Sequence, residues 1–158
     1  MKTVELVRQA DMLKTLIKRV GCDPSTRALE MQAHWARYLC VLTAGFLENV
    51  VRDLFGAYVQ RNSYRSAIVR YSKRQLERIQ NPKAAKLVEL AAAFDPAWGR
   101  DLEEFMADQY RSDAIDAIMS NRHLIAHGRS SSITVAQVST YLSKIIEVAG
   151  YIEQQCDL

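Results

Sequence analysis

The chain has 158 residues, of which 49% are hydrophobic and 25% charged; these proportions are typical of one globular domain with its own core and exclude a disordered chain. The longest apolar stretch, Tyr38–Leu47, is too short to cross a membrane. Three cysteines without a CxxC pair disfavour a disulfide scaffold and favour a reducing compartment. We therefore expect a single domain over residues 1–158, in the cytoplasm and without a membrane partner.

Charge is unevenly distributed along the chain. The net charge is +3, but residues 1–80 carry +7 and residues 81–158 carry −4. A basic half on a nearly neutral chain favours an anionic partner on one face.

Proline and the polar residue before it predict three helix starts. Asn or Asp caps a helix N-terminus, and proline suits the first helical position because its missing N–H would be unpaired there. The three pairs are Asp23-Pro24, Asn81-Pro82 and Asp95-Pro96.

Apolar residues recur every three or four positions, which is the helical period. This spacing predicts a first helix, a long helix over 24–61 with a kink at Gly45 or Gly56, and short helices over 72–80, 82–94 and about 101–109. Ser112 is expected to cap a helix over about 113–127, and Gly128 to stop it. Thr134 and Gln137 form a capping box that begins the last helix. With no alternating β pattern, we expect an all-α up-and-down bundle with one long helix.

The segment 120–128, SNRHLIAHG, holds two of the three histidines and an arginine at a predicted helix end. Cations at a helix C-terminus suit the macrodipole and need no further function. His123 and His127 share a helix face and could bind a metal, but two ligands do not complete a site. Alternatively, Arg122 can stabilise a phosphate while His127 transfers a proton, which is the equipment for metal-free RNA cleavage.

The spacing Arg122-x4-His127, with polar His123 after the arginine, resembles the signature of HEPN domains. The string NRHLIAHG is similar to the RiboL-PSP-HEPN branch and to related HEPN branches of the MAE_28990 type. Residues 33–55, AHWARYLCVLTAGFLENVVRDLF, resemble the long helix of that family, and residues 130–153 resemble its closing helix. The resemblance covers most of residues 25–155 and implies a helical bundle, commonly a C2 homodimer with both motifs in one cleft.

The resemblance also implies the site. Many HEPN proteins are metal-independent endoribonucleases that use no cofactor, and the arginine and histidine of their motif correspond to Arg122 and His127. His123 occupies the polar position of the motif. Glu48 is the best match to an acidic residue of the long helix that contacts the motif, and Asn121 is expected to orient the motif by hydrogen bonding.

A second basic region is a candidate for RNA contact. Residues 61–78 carry six cations and one opposing acid, with Tyr64 and Tyr71 interleaved. Cations bind phosphates and tyrosines stack on bases, although a solvated connection between helices would have the same composition. The predicted RNA-binding residues are Arg70, Lys73 and Arg74. His34 and Trp35 are expected to pack in the core or an interface.

The predicted function is therefore a metal-independent endoribonuclease acting on RNA through 2′-OH attack. The resemblance suggests a toxin with an antitoxin protein partner, or an antiphage defence component. The alternatives are a HEPN-like module that binds RNA or a nucleotide without cutting it, and a helical protein-interaction module.

Overall fold

The computed structural model describes residues 3–22 and 29–157. These ranges contain seven α-helices, a single 3-10 turn at Asp108–Tyr110, and no strand, so the all-α prediction is confirmed. The helices are α1 Val4–Cys22, α2 Leu29–Asn62, α3 Ser66–Glu77, α4 Ala84–Phe94, α5 Pro96–Ala107, α6 Arg111–Ala126 and α7 Val135–Gln155. None of them is long and apolar enough to cross a membrane.

Four helices form an up-and-down bundle, and polar contacts fix their directions. α2 and α7 are parallel, because Arg61 near the end of α2 donates to the Asp157 carbonyl just after α7 (2.7 Å). α6 runs against α7, because Arg111 at its start bonds Glu147 in the second half of α7 (2.8 Å). α1 also runs against α7, and the Thr3 N–H before α1 donates to Glu153 (2.6 Å). The C-terminal end of α6 therefore lies beside the N-terminal end of α2.

All seven helices contribute to one buried apolar cluster. α2 supplies its largest share, with buried residues from Ala36 to Val59. α3 supplies one buried residue, Leu76, and packs along the second half of α2, where Lys73 donates to Gln60 (2.6 Å). This peripheral packing explains why apolar spacing misplaced the helix: it lies at Ser66–Glu77, whereas the predicted range was 72–80.

Two of the predicted helix starts are correct in detail. The Asp95 side chain accepts from the Ala97 N–H, with Pro96 at the first position, so the helix predicted over about 101–109 begins earlier and spans Pro96–Ala107. Thr134 and Gln137 form the full capping box.

Other predicted boundaries differ from the structure. Asn81-Pro82 does not start α4, because Asn81 adopts φ 52° and the helix begins only at Ala84. Ser112 does not cap α6, which begins at Arg111 after a left-handed Tyr110 (φ 59°). The Asp23-Pro24 start lies outside the described residues. The long helix is uninterrupted from Leu29 to Asn62, through both glycines where a kink was expected.

Two helical glycines differ in the space around them, and we expect opposite effects from Gly→Ala. A Cβ on Gly99 would lie 2.6 Å from the Ala92 Cβ, whereas a Cβ on Gly56 would have no heavy atom within 4 Å. Gly99→Ala should lower the free energy of unfolding by about 1–2 kcal/mol through overpacking of α4 on α5. Gly56→Ala should raise it by about 1 kcal/mol through helix propensity. Urea denaturation of both variants checks this, and stabilisation by both would contradict the close α4–α5 contact.

Candidate active site

The candidate site lies where the end of α6 meets the start of α2. The Cys40 thiol on α2 donates to the Ile118 carbonyl on α6 (3.5 Å), which fixes the register of these antiparallel helices. Residues before Cys40 are therefore level with residues after Ile118. Residues 131–136, which lead into α7, border the first turns of α2 at Leu29, Gln32 and Ala33.

The backbone at the end of α6 is tightly closed. The Arg129 N–H donates to the Leu124 carbonyl (2.9 Å), and the Gly128 N–H donates to the Ile125 carbonyl (3.1 Å). This pair of bonds is a Schellman motif, which needs a left-handed residue after the cap. Gly128 supplies it with φ 66°, as predicted for a helix stop. His127 is thereby held as the C-cap residue of α6.

Arg122 is half-buried and lies one turn beyond the core residue Ile118, on the same inward side of α6. Among residues 3–22 and 29–157, no carboxylate lies within 4.0 Å of its guanidinium. Arg111 on the same helix contrasts with it. That buried side chain bonds Glu147 and Asp108, so its charge is balanced within the fold. Arg122 keeps an unbalanced positive charge at the edge of the core.

The two histidines lie together on the exposed side of α6. Their ring centroids are 4.4 Å apart with an interplanar angle of 62°, and both residues are exposed. Five helical positions separate Arg122 from His127, which corresponds to about 140° around the helix axis. Accordingly, no hydrogen bond joins the two side chains in the part of the chain that the structure describes. One protomer presents its arginine and its motif histidine in different directions.

Asn121 connects α6 to the segment after the motif. Its Nδ2 donates to the Ala117 carbonyl (2.8 Å), and its Oδ1 accepts from the buried Ser131 hydroxyl (2.7 Å). The Ser131 hydroxyl also accepts from the Ile133 N–H (3.4 Å). Asn121 therefore positions the turn that carries His127 and Gly128, which gives a physical basis to the orienting role expected for it.

We expect Asn121→Ala to lower the free energy of unfolding by about 1–2 kcal/mol, because the buried Ser131 hydroxyl loses its acceptor. Ser131→Ala should cost a similar amount, and the double variant little more than either single one. Asn62→Ala is the matched control: it loses the same contact to the carbonyl four residues earlier, but at an exposed position, so it should cost under about 0.5 kcal/mol. Urea denaturation measures all four, and additive single effects would contradict the coupling.

Glu48 does not contact the motif, which corrects the expected contact. Its Oε1 accepts from the Asn81 N–H (2.7 Å), in the connection between α3 and α4. Glu48 lies eight residues after Cys40, about 12 Å along α2, in the direction opposite to Arg122. It anchors the turn before α4.

The basic region is exposed but distant from α6. Arg70, Lys73 and Arg74 are exposed on α3, and Lys73 bonds Gln60 near the end of α2. Arg37, which the Cys40–Ile118 hydrogen bond places level with Arg122, is about 35 Å from Gln60 along α2. The structure therefore does not bring these cations and the motif into one site within a single protomer.

The two buried cysteines are unsuited to nucleophilic chemistry at neutral pH. Burial raises the pKa of the Cys40 and Cys156 thiols to about 12, so both stay protonated. In the described part of the chain, no group of three or more histidine, cysteine or acidic side chains is arranged to hold a metal ion.

Sequence reasoning did not predict an exposed apolar stripe in the first half of α2, level with the end of α6. His34 is exposed and Trp35 half-buried, so of the two expected positions, core or interface, His34 does not occupy the core. The exposed fractions are 45% for Met31, 52% for Tyr38 and 39% for Val41, and the Trp35 and Tyr38 rings make an edge-to-face contact at 5.8 Å. A solvent-facing helix surface is normally charged. We call Met31, His34, Trp35, Tyr38 and Val41 the α2 stripe.

Comparison with models of known protein families identifies the family of this chain. The model of the RiboL-PSP-HEPN family matches residues 13–158. The chain belongs to the RiboL-PSP-HEPN family. No curated protein and no solved structure matches it significantly. Membership in this HEPN family points to a nuclease or another RNA-related function, and α6 with its Arg122–His127 motif is the part of the fold that carries suitable chemistry.

Proposed function

We propose that this HEPN protein is a metal-independent endoribonuclease whose catalytic residues are Arg122 and His127. The observation that carries the proposal is the half-buried Arg122, whose charge no carboxylate balances among the described residues. A fixed cation of this kind stabilises a phosphate that gains charge in a transition state. His127 is exposed at the C-cap of α6 and supplies an imidazole, a side chain that can accept or donate a proton.

The reaction is an internal transfer that needs no added co-reactant. The ribose 2′-OH gives its proton to a base and attacks the adjacent phosphorus, forming a P–O bond and a phosphorane stabilised by Arg122. The P–O5′ bond then breaks, and the 5′ oxygen takes a proton from an acid. The products are a 2′,3′-cyclic phosphate and a 5′-OH end. Histidine serves as base in its neutral form and as acid in its protonated form.

We further propose that the enzyme acts as a C2 homodimer. The reaction uses a base and an acid, and one protomer offers a single motif histidine at the C-cap of α6. Because Arg122 and His127 diverge by about 140° within one protomer, a second copy is the simplest source of a converging partner. A two-fold axis places two copies of the same patch face to face.

The α2 stripe fits the surface such a dimer would use. It lies level with the C-terminal half of α6 along α2, and from Met31 to Phe46 the helix carries a single formal charge, on Arg37. Methionine, tryptophan and tyrosine are enriched at interface cores, whereas charged residues are depleted there. The stripe thus combines an interface composition with a position level with the motif along the helix axis.

Blocking the nucleophile tests the proposal. The cleavage position in a labelled single-stranded RNA is mapped with wild-type protein in EDTA, and the same RNA is then made with one 2′-deoxynucleotide on the 5′ side of that bond. We expect cleavage to stop at that bond and to continue at others, with cyclic phosphate ends. Undiminished cleavage beside the deoxynucleotide would contradict 2′-OH attack.

A second candidate function is RNA binding without cleavage, favoured by the exposed cations of α3. Such a module would bind RNA with steep salt dependence and leave it intact. A role as a toxin with an antitoxin partner, or in antiphage defence, remains a proposal based on family resemblance. Growth arrest on expression of the wild type, relieved by His127→Ala, would support it; equal toxicity of both would contradict it.

A further inference from the structure

Arg37 on α2 has an unusual environment for an arginine. Its Nε is buried and has no hydrogen-bond partner, while the residue as a whole is only half-buried. No carboxylate among the described residues lies within 4.0 Å of its guanidinium. A buried donor without a partner destabilises a fold, and each such case calls for an explanation. Arg37 therefore has donor capacity that the fold itself does not use.

The register of α2 and α6 places Arg37 level with Arg122. The Cys40–Ile118 hydrogen bond joins the two helices. Arg37 lies three residues before Cys40 and Arg122 lies four residues after Ile118. Because the helices are antiparallel, both arginines lie on the same side of that hydrogen bond along the helix axes. Arg37 is about 5 Å from it and Arg122 about 6 Å. Neighbours at three and four residues share a helix surface, so both arginines lie along the seam between α2 and α6.

We propose that Arg37 binds a phosphate of the RNA next to the one being cleaved. Two arginines at the same level of one seam, neither paired with a carboxylate, repel each other, and an anionic chain with regularly spaced phosphates relieves that repulsion at both positions. The planar arginine fork suits bidentate contact with phosphate oxygens. Arg37 is thus a substrate-binding residue that sets where the strand lies relative to Arg122. The inference rests on the proposed function, because it names a further contact of the same site.

The test measures RNA binding in a variant that does not consume its substrate. In His127→Ala protein, the dissociation constant for a labelled single-stranded RNA is measured over a KCl series, with and without Arg37→Met. We expect Arg37→Met to weaken binding at least fivefold and to reduce the slope of log K against log salt by about 0.7, the value for one phosphate contact to a single strand. The control is Arg100→Met, which removes the same charge from an exposed position on α5 and should change binding less than twofold.

A second readout separates binding from structure. Methionine has a similar shape without the unpaired donor, so Arg37→Met should have a midpoint of thermal unfolding no lower than its parent and remain the same oligomer by light scattering. A lower midpoint or a changed oligomer accompanying the weaker binding would make Arg37 structural and overturn the inference. Unchanged affinity and slope would overturn it as well.

The outcomes also separate this inference from the proposed function. If the wild type cleaves RNA and Arg37→Met binds like its parent, the inference alone fails. If the wild type binds RNA without cleaving it, the endoribonuclease proposal fails, and the effect of Arg37→Met on binding still decides the inference. If the protein binds no RNA, both fail.

Discussion

Arg122→Ala is expected to lower the RNA cleavage rate about 10³-fold while leaving the fold and the dimer intact. The loss follows from removing a fixed cation from the transition-state phosphorane, where one preorganised donor contributes about 10²–10³ in rate. Stability should change by less than about 1 kcal/mol, because Arg122 makes no ion pair in the described part of the chain. Single-turnover cleavage, with protein in excess over RNA and above the dissociation constant, measures the chemical step.

Arg129→Ala is the matched control for this variant. Arg129 is exposed two residues after the C-cap, so the change removes the same charge from the same helix end but not from the inward face. We expect its rate to stay within threefold of the wild type. Arg122→Lys should recover part of the lost rate, because it restores a point charge without the planar fork. Equal losses for Arg122→Ala and Arg129→Ala would show that general charge, and not the position of Arg122, supports cleavage.

Val41→Asp is expected to convert the dimer into a monomer and to reduce cleavage by at least 100-fold. The change places a charge in the α2 stripe, where a dimer would bury it against an apolar surface and leave it unpaired. Val41 is 39% exposed, so the isolated protomer can hold the aspartate in water and remain folded. Light scattering over a concentration series measures the oligomer, and circular dichroism confirms the helical content.

The control for the interface is Ile68→Asp on α3. Ile68 is 49% exposed but lies outside the stripe, so the same kind of change should leave the dimer intact. A wild-type protein that is monomeric at assay concentration and still cleaves RNA would contradict the dimer proposal. So would a dimer that survives Val41→Asp.

A dimer in which each Arg122–His127 pair across the two-fold axis forms a complete site predicts complementation between two inactive variants. If Arg122 of one protomer acts with His127 of the other, a heterodimer of Arg122→Ala and His127→Ala protomers contains one intact pair. Co-expression of the two should therefore restore about one quarter of the wild-type activity by statistical assembly. If both residues act within one protomer, no heterodimer has an intact pair and activity should remain absent.

Local signals in the sequence were sufficient where a few adjacent residues determine the structure. The Asp95 cap, the Thr134–Gln137 capping box and the Gly128 stop were predicted correctly, since each depends on contacts within four or five residues. Asn81-Pro82 has the same local appearance as Asp95-Pro96. It fails as a helix start because the Asn81 N–H bonds Glu48, on a helix more than thirty residues away, and no local pattern reveals that contact.

The candidate site likewise has features that adjacent residues determine and features that the packing of distant helices determines. The position of Arg122 and His127 at the end of α6 followed from a motif within one helix. Whether Glu48 or Arg37 stands beside that motif depends on how α2 aligns with α6, which a single hydrogen bond between Cys40 and Ile118 reports and periodicity cannot. Arg37 also lies at the boundary between the buried face of α2 and the α2 stripe. The spacing of apolar residues along the helix therefore gave no reason to single it out.

The most direct test of the central claim compares wild-type and His127→Ala proteins, purified identically, on a labelled mixed-sequence RNA in EDTA. The account predicts fragments with 2′,3′-cyclic phosphate ends from the wild type, and a rate about 10²–10⁴-fold lower from His127→Ala, with both proteins binding the RNA equally. Equal cleavage by both proteins, or RNA that the wild type binds and leaves intact, would contradict it.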